Sequence, residues 1–258
     1  MKLFACMCNQ PKRLWTALAP VRPVLSAGPP VSRWGLGYSQ GGDVLLVRTP
    51  KSSQKAVDLA GPLAEIPTDC AIGQAVADDR FGGTDNTPPF RFRRWMFALT
   101  GTPEVDAVTG RLLEQIPDYL RRNLKGKTPG ELIFHVFLAM LHDEGSVDDP
   151  NINPQATRRA LAATIKLVAN EVGHPVKLGN VALSNGRSMI VARIDEEPLR
   201  LRKLWVLDDR GARDETFRGV LLVSGGDGDP RDGFEDVPAR HAVLVSRDLS
   251  VQLAGLEP

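Results

Sequence analysis

The pattern of apolar residues changes twice along this chain, and the order of the changes limits the folds it can adopt. Short β-compatible runs dominate the first hundred residues, apolar residues at helical spacing follow, and strand-like runs separated by turns return from Lys177. This order is typical of an α+β protein, in which helices stack on antiparallel sheets. We therefore predict that fold class.

The local patterns predict individual elements within this order. Helix-like spacing over residues 11–27 is interrupted by Pro20 and Pro23, so any helix there is broken. Further helices are predicted at 53–60, within 103–120, at 131–142 and at 155–171, and a loop at 78–89. Strands are predicted at 2–8, 34–39, 43–49, 69–77, 91–100, 181–183, 189–194, 202–207, 220–224, 241–246 and 251–253.

Composition excludes several classes of function. The 258 residues are 42% hydrophobic and 24% charged, with a net charge of +1, so we expect neither a nucleic-acid partner nor an anionic membrane surface. No apolar run approaches the roughly 20 residues that span a bilayer. The three cysteines, an odd number without a secretory signal, predict a cytoplasmic protein without a disulfide framework.

Several short motifs occur in an informative order. They are Leu3-Phe4-Ala5, Trp34-Gly35-Leu36-Gly37-Tyr38, Asn86-Thr87-Pro88-Pro89-Phe90, Phe97-Ala98-Leu99-Thr100-Gly101, the hairpin Asn180–Ile194 and the segment Leu221–Val245. In this order they resemble the class II glutamine amidotransferases, which are N-terminal-nucleophile (Ntn) hydrolases. The resemblance implies a single domain over residues 1–258 with a four-layer α/β/β/α sandwich fold.

The same resemblance implies a thiol nucleophile whose own amine is the general base. Aligned on Leu3-Phe4-Ala5, the cysteine position of the family is held by Met1, and the bulky Lys2 disfavours removal of that methionine. Cys6 is the alternative nucleophile, but its exposure requires loss of residues 1–5 and leaves the thiol out of register. Cys8 is further displaced, and both cysteines are interpreted as buried strand residues.

Three further positions of the implied site are degenerate. The aromatic-Ala-His-Asn-Gly oxyanion motif of the family reads Leu99-Thr100-Gly101 at its end, without the donor asparagine. The arginine expected to bind the glutamine carboxylate falls at Ala75, and Arg80 is a displaced substitute. The aspartate for the glutamine ammonium is replaced by Pro129, although Thr128, Pro129 and Glu131 keep the pattern of a capped helix start.

Two functions follow from these losses. The first is a pseudoenzyme that no longer hydrolyses glutamine and binds a protein partner or a small ligand in a remodelled pocket. The second is an active Ntn-type amidohydrolase, a glutaminase or γ-glutamyl amide hydrolase, that uses a displaced cysteine. We expect no cofactor in either.

Other candidate sites are weaker in sequence. His135 and His142 lie seven residues apart and are interpreted as core or boundary residues, so no metal site is expected. The acidic loop 224–233 does not match a calcium-binding loop. The basic clusters Arg91–Trp95, Arg121–Lys127 and Arg200–Lys203 are interpreted as solvated faces unless they converge on one surface.

Overall fold

A computed structural model describes residues 1–52, 56–145, 147–225 and 233–256. The strands are β1 Lys2–Cys8, β2 Ser26–Ala27, β3 Arg33–Gln40, β4 Asp43–Thr49, β5 Val57–Asp58, β6 Cys70–Val76, β7 Phe90–Phe92, β8 Trp95–Leu99, β9 Asn180–Ser184, β10 Met189–Arg193, β11 Leu199–Leu204, β12 Gly219–Ser224, β13 Phe234–Asp236, β14 His241–Val245 and β15 Val251–Gly255. The α-helices are α1 Leu14–Leu18, α2 Arg22–Leu25, α3 Thr109–Glu114, α4 Asp118–Arg121, α5 Pro129–Asp143 and α6 Pro154–Val172.

Two antiparallel sheets contain most of the strands. The larger has the order β13-β11-β12-β1-β6-β3-β4 and the smaller the order β15-β14-β10-β9-β8-β7, while β2 and β5 form a separate pair. In the larger sheet β1 is central, because it pairs with β12 on one side and β6 on the other. Every residue of β1 is buried, as a central strand covered on both faces requires.

Three apolar layers hold the two sheets and the helices together. Alternate residues of β1 and β6, such as Leu3 and Ile72, pack between the sheets. The other alternate set, such as Phe4 and Ala71, packs beneath α1 and α2 on the outer face of the larger sheet. The helices α3 to α6 cover the outer face of the smaller sheet. The result is the predicted α+β sandwich with helices outside two antiparallel sheets.

Helix boundaries follow local signals closely. Pro154 opens α6 after Asn153, whose side chain accepts a hydrogen bond from the Gln155 N–H at 2.8 Å. Gly173 ends α6 in the left-handed conformation. The predicted helical region after Pro103 is divided into α3 and α4 at Pro117, and residues 11–27 are broken into α1 and α2.

Three predicted elements are wrong in type or extent. Residues 91–100 form two strands instead of one, because the chain reverses at Arg93 and Arg94 and Phe92 pairs with Trp95. The φ of Arg93 is +51°, a value typical of tight hairpin turns. Val57–Asp58 is a strand paired with β2, so the helix predicted at 53–60 is absent from residues 56–60, and 53–55 lie outside the described residues. The strand predicted at 202–207 instead covers Leu199–Leu204.

Candidate functional site

A small cavity opens where the start of β1, the end of β6 and the start of α5 meet. It encloses about 60 Å³, room for only a few water molecules. The loop between β6 and β7 and the segment after β8 complete its wall. We call it the β1 cavity, and it is lined by Met1, Arg33, Gln74, Val76, Asp78, Arg80, Phe81, Asn86, Pro88, Phe90, Leu99, Gly101, Thr102, Pro103, Thr128, Pro129 and Gly130.

The candidate positions named from sequence are Met1, Ala75, Leu99, Thr100, Gly101 and Pro129. Four of these six, Met1, Leu99, Gly101 and Pro129, line this cavity, although they are spread over the first half of the sequence. The convergence arises because β1 lies in the larger sheet, β8 lies in the smaller sheet facing it, and α5 packs against β8.

Ala75 lies elsewhere, on the opposite face of β6. It packs in the outer apolar layer beneath α1 and α2, while its neighbours Gln74 and Val76 line the β1 cavity. Side chains alternate along a strand, so a one-residue shift in alignment moves a position to the other face. Gln74 and Val76, and not Ala75, are therefore the β6 residues that face the cavity.

Gln74 is a buried cavity residue that the sequence analysis did not single out. Its side chain is 2% exposed, and its Nε2 donates a hydrogen bond to the Leu99 carbonyl in the facing sheet. Its Oε1 is buried and has no hydrogen-bond partner in the part of the chain that the structure describes. A single amide side chain within the otherwise apolar run Cys70–Val76 was the available signal, because buried polar groups require partners.

Two arginines form the charged wall of the cavity. The Nε of Arg33 donates to the Asn86 carbonyl at 3.1 Å and its Nη1 donates to the Asp78 carbonyl, which ties the β6–β7 loop to β3. Burial lowers the pKa of Arg33, and the negative charge of Asp78 opposes this shift. Arg80, the displaced substitute named from sequence, pairs with the Asp78 carboxylate at 2.8 Å.

Thr100 is buried but does not line the cavity. Its hydroxyl donates to the Glu197 carboxylate and accepts from the Asn180 N–H at 2.9 Å. Burial raises the pKa of Glu197, and the hydrogen bond from Thr100 opposes the shift. Thr100 therefore connects the end of β8 to β9 and to the segment before β11.

The start of α5 differs in one contact from the predicted capping box. The Thr128 hydroxyl accepts from the Glu131 N–H at 3.3 Å, as expected of an N-cap. The Glu131 carboxylate does not return to the Thr128 N–H. It accepts instead from the N–H groups of Lys125 at 3.1 Å and Gly126 at 2.6 Å, because the chain folds back before the cap. Burial raises the pKa of Glu131, and these two hydrogen bonds oppose the shift.

The three cysteine thiols are buried and none lines the β1 cavity. Cys6 packs in the outer apolar layer beneath α1 and α2, and burial raises its pKa well above the ordinary value. Burial also raises the pKa of Cys8 and of Cys70 to about 12. A thiol in such surroundings is protonated at neutral pH and is therefore a poor nucleophile.

The remaining candidates do not form a second catalytic cluster. Across the described ranges, no three His, Cys, Asp or Glu side chains could share a metal ion. His135 is buried in α5 with its Nδ1 at 3.0 Å from the Glu131 carbonyl, and His142 contacts Tyr119. Most of the loop 224–233 lies outside the described residues.

The basic clusters do not converge on one surface. Arg91 donates to the Val44 carbonyl at 2.7 Å, which places its cluster beside β4. Arg200 to Lys203 lie on β11, which pairs with β13 at the opposite edge of the larger sheet. Because the clusters are not on one surface, they do not indicate an anion-binding face.

Comparisons with known proteins place this geometry in a structural context. No protein-family model and no curated protein matches the sequence. A solved glutamine aminotransferase class-II domain protein from Silicibacter pomeroyi is 15% identical, with a TM-score of 0.61 and complete coverage of both chains.

Two longer enzymes also contain a similar domain. The glutamine phosphoribosylpyrophosphate amidotransferase from B. subtilis has a TM-score of 0.59 at 11% identity, and the allosteric regulatory enzyme of purine biosynthesis has 0.62 at 14%. In both cases all of this chain is matched, and it spans about half (49%) of the longer chain.

The chain therefore has the fold of class II glutamine amidotransferase domain proteins, an Ntn-hydrolase-like α+β sandwich. Identities of 11–15% establish the fold alone. Among the described residues, no helix is long and apolar enough to cross a membrane.

Proposed function

We propose that residues 1–258 form a single class II glutamine amidotransferase-like domain that no longer hydrolyses glutamine and works by binding. The observation that carries this proposal is the absence of a thiol from the lining of the β1 cavity, at the position where β1 enters it. Met1 contributes a thioether there, which cannot attack an amide carbonyl as a thiolate does.

The alternative cysteines are too far removed from this cavity to replace the nucleophile. Cys6 lies in the interior of β1, opposite Ala71 of β6 and Leu221 of β12. Its exposure would require the loss of residues 1–5, which make the ladder hydrogen bonds of a central strand. Nucleophilic attack tolerates displacements of about an ångström at most, so a thiol several residues along the strand is not a substitute.

Stabilisation of an oxyanion is also weakened. A family-type site would use an asparagine amide at position 100, but the Thr100 hydroxyl is occupied by Glu197 and Asn180 outside the cavity. Loss of one oxyanion donor costs about 3 kcal/mol of transition-state stabilisation. Together with the missing thiol, this supports loss of hydrolysis as a whole.

Binding remains chemically feasible in the same cavity. The Gln74 Oε1 is a buried acceptor without a partner among the described residues, and the rings of Phe81 and Phe90 provide apolar walls. A ligand or a protein side chain that donates an N–H or O–H would satisfy the Gln74 Oε1 once the Gln74 side chain turns into the cavity, and a buried unsatisfied acceptor costs about 1–3 kcal/mol.

Hydrolysis is tested by ammonia release from glutamine and from γ-glutamyl amides, with Cys6→Ala as the matched control. We expect no release above the background of the Cys6→Ala protein and no labelling by a glutamine-analogue electrophile. Turnover that Cys6→Ala abolishes, or an intact mass showing removal of residues 1–5, would overturn the proposal.

Binding is tested separately by thermal shift with a panel of small amides and amines. Compounds that donate a hydrogen bond should stabilise the protein and lose this effect in Gln74→Leu, which keeps the approximate shape of the side chain. Equal stabilisation of both proteins would place the ligand outside the β1 cavity.

A further inference from the structure

A second and larger cavity lies at the C-terminal end of α6, on the outer face of the smaller sheet. It encloses about 830 Å³ and shares no lining residue with the β1 cavity. Its walls come from α6, the segment between α6 and β9, the end of β10, the turn before β14 and the residue after β15. We call it the α6 groove.

The floor of the α6 groove is apolar and built from one face of the helix. Ala162, Ile165 and Ala169 follow the spacing of three and four residues that places side chains on one helical face. Ile194 and Leu256 complete the floor from the sheet side. The two alanines leave space that larger side chains would fill, and the volume lies within the roughly 300–1,000 Å³ range of small-molecule sites.

The rim of the groove carries two cationic side chains. Lys166 and Arg240 are both exposed, and among the described residues neither side chain has a hydrogen-bond or ion-pair partner. The carboxylate on the rim, Asp195, is engaged, because it accepts a hydrogen bond from the Gly179 N–H at 2.7 Å. Both cations are therefore available to a ligand.

The conformation of Arg240 is a second unusual feature of the rim. Its φ is +57°, in the left-handed region where glycine is preferred. A non-glycine residue there costs about 1 kcal/mol or more, yet the residue at this turn is an arginine. A guanidinium useful at the mouth of the groove would account for that choice.

The C-terminus of α6 opposes an anion to a limited extent. A helix end has about half a negative charge, and the last turn of α6 holds no basic residue. Two of the carbonyl groups at this helix end already have partners, since the Glu171 carbonyl accepts from Arg111 at 2.7 Å and the Ala169 carbonyl accepts from the Gly173 N–H at 2.9 Å. The two full positive charges of Lys166 and Arg240 outweigh the partial negative charge of the remaining carbonyl groups.

We propose that the α6 groove binds an organic carboxylate with an apolar tail, of the fatty-acid class. The tail lies along Ala162, Ile165 and Ala169, and the carboxylate is held at the rim by Arg240 and Lys166. This assignment is independent of the function proposed for the β1 cavity, because the two sites have no residue in common.

Calorimetric titration of the whole protein with decanoate, below its micelle concentration, tests the assignment. We expect saturable binding at one site, weakened at least tenfold in Arg240→Gly, because a charge-assisted hydrogen bond is removed. Glycine suits the φ of this position, so the variant should fold as well as the wild type. Arg247→Gln, an exposed arginine that does not line the groove, should bind normally.

A second pair of variants tests the apolar floor. Ala169→Trp fills the groove and should abolish binding, whereas Ala163→Trp, on the exposed face of the same helix, should not. Absence of decanoate binding at millimolar concentration would overturn the assignment. Equal affinity for decanol, or unchanged decanoate affinity in Arg240→Gly, would overturn the role of the cations.

Discussion

At the scale of single residues, packing explains the glycine that follows β8. Gly101 has no room for a side chain, since a Cβ there would clash with backbone atoms of Lys177 and Leu178. The Gly101 N–H also donates to the Leu178 carbonyl at 2.9 Å. A glycine is thus required by the close approach of two backbone segments, with or without catalysis.

The substitution Gly101→Ala should therefore destabilise the protein. We expect the free energy of unfolding to fall by about 1–3 kcal/mol, as for other overpacked positions. Urea denaturation at constant pH measures this change.

Gly110→Ala is the matched control for that experiment. Gly110 lies in α3, is exposed, and a Cβ there meets no atom within 4 Å. Alanine favours a helix over glycine by up to about 1 kcal/mol, so this variant should be as stable as the wild type or more so. Equal losses in the two variants would contradict the packing argument.

At the scale of elements, contacts among its own residues hold the first turn of α5. Thr128 caps the helix, Pro129 occupies its first position, and Glu131 binds the two N–H groups of the preceding turn. These contacts fix the loop that closes one side of the β1 cavity. A proline at position 129 suits a helix start, because its missing N–H has no intrahelical partner there.

Thr128→Ala should cost about 1 kcal/mol of stability, because the N-cap hydrogen bond to the Glu131 N–H is lost. Thr128→Ser keeps the hydroxyl and should stay close to the wild type. Differential scanning calorimetry of both variants gives the comparison. A serine variant as unstable as the alanine variant would show that the methyl group of Thr128 matters more than the cap.

At the scale of the whole molecule, the larger sheet holds all three thiols away from the β1 cavity. Cys6 and Cys8 face the layer beneath α1 and α2, and Cys70 faces the space between the sheets, where its sulfur lies 3.1 Å from the Ser184 hydroxyl. All three are within the most central strands of the larger sheet. Their exposure requires the sheet to open.

The three thiols should therefore react with Ellman's reagent only on unfolding. With burial raising the pKa of Cys8 and Cys70 to about 12, the native protein at pH 8 should show no rapid reaction, and three thiols should appear together in denaturant. Ala163→Cys adds an exposed thiol on α6 as a positive control. Rapid labelling of one native cysteine would contradict this arrangement.

The candidate site could be predicted only in part, for a reason that Ala75 and Gln74 illustrate. Motif order singled out Met1, Leu99, Gly101 and Pro129, which all line the β1 cavity. The motif alignment placed Ala75 at the position of a substrate-binding arginine. In the structure the Ala75 side chain lies on the face of β6 that points away from the β1 cavity. An alignment uncertain by one residue cannot choose between faces, because side chains alternate at every residue of a strand.

The sequence by itself determined the features that depend on near neighbours. Prolines, caps and apolar spacing set the positions of α5 and α6, and the order of strand and helix patterns determined the α+β class. Tertiary structure alone decided the sheet order, the unpaired buried acceptor of Gln74 and the α6 groove. Each of these depends on contacts between residues distant in the chain, and such contacts leave little trace in local periodicity.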